Sequence, residues 1–167
     1  WHIGSGAFSI GNAFLHRTNI VERARRPMDR LMQETGETVS LGILNGDQAL
    51  VLAQVESLAP VRTYFASGST MALHASALGK ALIAWKDDEI IEEILSRSGL
   101  ARQTSLTLSS PESLLRDLSR TQARGFALDD QEQAEGMRAV AAPVFDAFGA
   151  PVAAIAITGP AIRLGLS

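Results

Sequence analysis

Asn45-Gly46-Asp47 separates two β-prone runs, Thr38 to Leu44 and Ala49 to Val55. Asn-Gly between such runs is the strongest short signal for a tight hairpin, because its central residues must accept positive φ. A second pair of runs, Met137 to Phe145 and Pro151 to Thr158, flanks the turn Asp146-Ala147-Phe148-Gly149. Hairpins join antiparallel strands, whereas parallel strands need long crossovers. The second pair is rich in small apolar residues and poor in polar alternation, as expected where both sheet faces are covered. Phe126 to Leu128 and Val61 to Ala66, the latter opening after Pro60, read as two more strands.

Helical spacing runs from Asn12 to Gln33, with Thr18-Asn19 as an interior cap and Pro27 expected to start a new segment or kink the helix. Gly36 suits the C′ position that ends it. Asp87-Asp88 is expected to cap an acidic helix reaching about Leu95, and Gln103 to Leu108 reads as extended linker. Ser110-Pro111-Glu112 opens a helix that Gly125 closes. Six strands in hairpins with helices outside predict an α+β domain with a roughly six-stranded antiparallel sheet.

The stretch Gly68 to Trp85, GSTMALHASALGKALIAW, is a loop running into an apolar helix that begins at Ala77. Ser76 is a natural N-cap, its hydroxyl able to accept from a first-turn N–H. Ala77, Leu78 and Gly79 have no side chain that could satisfy the remaining N–H groups, so the helix start suits an anion. Gly79 costs the helix about 1 kcal/mol relative to Ala, which predicts close approach to its backbone. The same residues also fit an ordinary helix packed on a sheet, with His74 a satisfied loop residue.

Composition narrows the function. The chain has 167 residues, formal net charge −3 and no Cys. That charge gives no electrostatic reason to sit on nucleic acid or an anionic membrane. Disulfides and thiolate metal sites are excluded. No apolar run reaches membrane-spanning length. His2, His16 and His74 show no metal-ligand spacing, and no phosphate-cradling glycine motif is present. Ser76 and Lys80 are spaced i, i+4 rather than the i, i+3 of the serine–lysine acyl-transfer motif. His74 and Ser76, two apart at a helix start, do not naturally form a nucleophile–base pair. The residues therefore do not read as an enzyme, and no cofactor or metal is expected.

LHASALGKALIA, from Leu73 to Ala84, resembles the signature of the effector-binding domain of IclR-type bacterial transcription regulators. Thr35 to Leu41 and the run from Gly125 to Arg163 match the same family in the same order. The resemblance implies a GAF-like fold and a regulator domain that binds a small organic (carboxylic) acid effector. Residues 1–11 would then be the connector from a winged helix-turn-helix domain that is missing here. Residues 12–167 would be the effector-binding domain, its C-terminal helix truncated. By resemblance, the backbone at Ala77 and Leu78 matches where family members hold an effector's acid group. Asp129, Met137, Ala139, Ala156 and Thr158 match pocket positions, and Met71 and Ser76 complete the set. Alternation independently puts Met137 with Ala139, and Ala156 with Thr158, on one face. Ala139 stands where many members have Cys, and Ala156 where Ser is frequent. Both changes remove a polar group, which argues against the smallest effector type, a short oxo-acid.

The implied partners are the effector, a second or further copy in a homodimer or homotetramer, and DNA only through the missing domain. No membrane is expected, and a cytoplasmic location is. Phe8, Ile10 and Phe14 have no obvious place in the sheet core and suit self-association. Arg62 reads as an ion-pair partner and Glu37 as a structural turn residue. A structural oligomerisation module without a small-molecule ligand is the alternative.

Overall fold

The computed structural model describes residues 20–165. The element order is α1 (Ile20–Thr35), β1 (Thr38–Asn45), β2 (Gln48–Val55), β3 (Thr70–Ala72), α2 (Ala77–Ile83), α3 (Asp88–Ser98), α4 (Pro111–Arg124), β4 (Ala127–Asp130), β5 (Met137–Phe145) and β6 (Pro151–Pro160). The strands form one antiparallel sheet in the order β3-β2-β1-β6-β5-β4. Both hairpins occur as the sequence predicts. The α+β class follows.

Strand alternation sorts the side chains to two faces. Val39 and Leu41 of β1, with Leu52 and Ala153, pack under Ala24 and Met28 of α1. The opposite face carries α2, all seven residues of which are buried. Ala139 and Ala141 of β5 and Ala154 and Ala156 of β6 lie in the core beneath it. Those alanines let the helix approach closely. Gly42 of β1 does the same, since a Cβ there would meet the Leu78 side chain at 2.5 Å.

Helix α1 ends as expected. Gly36 has φ 71° and donates from its N–H to the Met32 carbonyl at 2.8 Å, which satisfies an end carbonyl. Pro27 lies inside α1 rather than starting a new segment. The expected cap at Thr18-Asn19, the connector 1–11 and the apolar residues Phe8, Ile10 and Phe14 lie outside the described residues. Gly125, at φ 84°, closes α4.

The structure corrects four other expectations. Val61 to Ala66 is not a strand: the third strand is Thr70–Ala72, which pairs with β2. Side chains take the backbone groups that a ladder would need, because Thr38 Oγ1 donates to the Thr63 carbonyl at 2.9 Å and the Phe65 N–H donates to Gln54 Oε1 at 2.7 Å. Asp87 is the N-cap residue of α3 but makes no side-chain cap bond. Residues 103–108 form a tight polar loop instead of extended linker, with Thr104 and Thr107 buried and donating to the Gln131 and Glu132 carbonyls respectively. Strand β4 starts one residue later than expected and runs to Asp130, so Asp129 belongs to the sheet.

Glu37 is buried at the head of β1 and binds Arg163 beyond β6 through two guanidinium contacts, at 2.5 and 2.8 Å. A Cβ on Gly159 would collide with that carboxylate. Arg62 pairs with Glu56 at 3.3 Å on the surface.

Candidate ligand-binding site

Ser76 is extended, at φ −109° and ψ 143°, and its Oγ accepts from the Gly79 N–H at 3.0 Å. The same hydroxyl donates to the Ala72 carbonyl at 2.7 Å. Both its functions are therefore used to fix the start of α2. Among the described residues the N–H groups of Ala77 and Leu78 have no hydrogen-bond partner. The chain's own backbone is what approaches Gly79. A Cβ there would lie 2.7 Å from the Leu73 carbonyl oxygen and closer still to the Leu73 Cα.

A small cavity lies between this helix start and the sheet. Met71, Ser76, Ala77, Leu78, Asp129, Ala139, Ala156 and Thr158 all line it. Met137 does not: it shares the face of Ala139, but it begins β5 beside Pro160, past the end of the cavity. Ser40, Phe65 and Gln133 also line the space. Sequence reasoning missed these three. For Ser40 a signal existed, because Thr38, Ser40 and Gly42 alternate with Val39, Leu41 and Ile43. Phe65 was hidden by the misread strand. Gln133 sits in a loop with no pattern to betray it.

The cavity is narrow. Its volume is about 10 Å³, room for a single water. Any larger occupant must displace a wall, and Phe65 stands on the one wall formed by a long loop.

Asp129 is buried, and its Oδ1 accepts from the N–H groups of Glu132 at 2.7 Å and Gln133 at 3.3 Å. Burial pushes its carboxyl up to about 6, against the pull of those two hydrogen bonds and of Lys80. Lys80, fully buried on α2, contacts Asp117 of α4 at 2.8 Å and Glu132 at 2.7 Å. Burial likewise raises the Glu132 carboxyl to about 7, with the Lys80 ammonium opposing. His74 is buried with its Nε2 3.0 Å from the Ala101 carbonyl, so it does not serve Ser76 as a base. Among the described residues no group of three or more His, Asp or Glu is arranged to hold a metal ion, and no helix is long and apolar enough to cross a membrane.

This arrangement can hold a small polar molecule by hydrogen bonds, with hydroxyls and free N–H groups in an apolar shell. It contains no nucleophile beside a base. A family model described as "Bacterial transcriptional regulator IclR C-terminal" matches residues 12–166. The chain belongs to the IclR family.

It is 46% identical over 164 residues to the HTH-type transcriptional regulator BhcR of Paracoccus denitrificans, covering 98% of this chain and 59% of that protein. It thus spans about three-fifths of the length of the curated relatives it matches. Those relatives are named as transcriptional regulators or repressors, not as enzymes. The C-terminal domain of the E. coli regulator KdgR superposes with a TM-score of 0.80 at 33% identity, covering 88% of this chain and 85% of that one. An IclR homologue from Microbacterium hydrocarbonoxydans, solved in complex with 4-hydroxybenzoate, gives a TM-score of 0.79 at 25% identity, covering 86% of this chain and 59% of that one. The IclR-type assignment drawn from three stretches of sequence therefore holds for nearly the whole chain.

Proposed function

We propose that this chain is the ligand-sensing domain of an IclR-type regulator and that it binds a small carboxylic acid in the cavity between α2 and the sheet. The observation that carries the reading is convergence. Residues from β1, β3, α2, β4, β5 and β6 line one space, and among them are Ser40, Thr158, Asp129 and the helix-start residues Ala77 and Leu78. The acid group sits at the N–H groups of Ala77 and Leu78, where the helix dipole favours negative charge. The hydroxybenzoate complex of the Microbacterium homologue supports an acid as the ligand class. Residues 1–11 serve as the connector to a DNA-binding domain, and 12–167 as the sensor. The protein acts in the cytoplasm as a homodimer or homotetramer, and effector binding changes the DNA affinity of the attached domain.

The second reading, an oligomerisation module without a ligand, draws support from the small volume of the cavity. Thermal melting with a panel of short carboxylates separates the two. An acid at 100 times its Kd should stabilise the fold by about 2.7 kcal/mol. A melting temperature indifferent to every acid tested up to tens of millimolar favours the second reading.

A further inference from the structure

On β1 the residues facing α2 are Thr38, Ser40 and Gly42, and each has a different fate. The Thr38 hydroxyl is used twice, donating to the Thr63 carbonyl and accepting from the Ser57 N–H. Gly42 makes room for Leu78. Ser40, between them, is only 1% exposed, lines the cavity, and has no hydrogen-bond partner for its Oγ. A buried hydroxyl left unpaired is destabilising, and packing alone would favour Ala or Val there.

The surroundings show what the hydroxyl is suited to. Ser40 stands in register with Gln54 on β2 and with Ala156 on β6. Gln54 Oε1 is held by the Phe65 N–H, which leaves Gln54 Nε2 buried and unpartnered. An amide nitrogen can only donate. Directly opposed residues on neighbouring strands are close enough to interact, and Gln54 Nε2 and Ser40 Oγ are an unpartnered donor and acceptor on such a pair. The unpartnered Ser40 hydroxyl therefore keeps its proton available to an acceptor in the cavity. Ala156 on β6 and Ala139 on β5 offer no competing hydrogen bond, and Thr158 on β6 adds a second hydroxyl to the lining.

We propose that Ser40 is a specificity-determining contact for the effector, donating to a second oxygen of a short acid that carries a carbonyl or hydroxyl group near its carboxylate. The inference rests on the acid-sensing reading above. It also bears on the expectation that alanines at 139 and 156 make the cavity unsuited to a short polar acid, because Ser40 on the adjacent strand adds a hydroxyl to that of Thr158 on β6.

The experiment is titration calorimetry of the 167-residue chain and its Ser40→Ala variant with pyruvate, lactate and propionate. The three probes share a carbon count and a carboxylate and differ in the oxygen at the second carbon. The parent should bind pyruvate or lactate about tenfold more tightly than propionate, the discrimination typical of one hydrogen bond. Ser40→Ala should bring all three within about twofold and leave propionate binding unchanged. It should also melt no lower than the parent, since it removes an unpaired group. If Ser40→Ala keeps the preference, or the parent shows none, the role of Ser40 is overturned while acid sensing stands. If the parent binds none of the three, the role of Ser40 falls, and the acid-sensing reading is decided separately by the melting panel of carboxylates.

Discussion

Lys80 Nζ lies 2.7 Å from Glu132 Oε1, and both side chains are buried, at 0% and 9% exposure. Lys80 belongs to the cavity helix α2, and Glu132 to the loop whose Gln133 faces the cavity. The pair, with Asp117 as the second counter-charge, ties the cavity's helix to its loop. Lys80→Met removes the ammonium and strands two carboxylates, so it should cost about 3–5 kcal/mol in urea denaturation. Adding Glu132→Gln should recover part of that loss. A cost below about 1 kcal/mol would mean that the pair does not hold the loop.

Gly79→Ala should destabilise the chain even though Ala gains about 1 kcal/mol in helix propensity. The obstacle is the Leu73 backbone, which cannot rotate away as a side chain could. Denaturation of the variant checks this, and a gain in stability would contradict the packing described for α2.

The Asp129 carboxyl is raised to about 6 from an ordinary 3.8. Its contribution to stability is therefore complete below the unfolded value and is lost as pH rises through the folded one. Between about pH 4 and about pH 7, Asp129→Asn should lose up to about 3 kcal/mol less stability than the parent. The same group affects binding. Ionised Asp129 repels a carboxylate, so acid affinity should rise as pH falls from about 8 to about 6 and the complex should take up protons. Calorimetry in two buffers of different ionisation heat reads that uptake. Proton release in its place would remove Asp129 from the ligand's vicinity.

Much of the fold was legible because local chemistry and tertiary structure agree. The Asn45-Gly46 hairpin, the Ser76 cap and the Gly36 and Gly125 stops needed only neighbouring residues. Val61 to Ala66 failed as a strand because residues distant in sequence, Thr38 and Gln54, take up its backbone groups. Lys80 was invisible for a related reason. A lysine on a helix reads as solvated, and its two partners stand 37 and 52 residues away. Gly79 did mark a close approach, but the approaching group is Leu73, not a ligand. Burial also changes the obvious charge test of the helix start. Ala77 is 0% exposed, so Ala77→Asp would bury a carboxylate and confound loss of binding with loss of fold.

The central claim is that the N–H groups of Ala77 and Leu78 hold an acid. The most direct measurement is backbone amide NMR of the isotopically labelled chain, titrated with a short acid and with its amide. The acid should shift the Ala77 and Leu78 resonances strongly, with one shared saturation curve, and the uncharged amide should leave them nearly unmoved. Saturable binding that leaves these two amides unshifted, or equal shifts with acid and amide, would contradict the account.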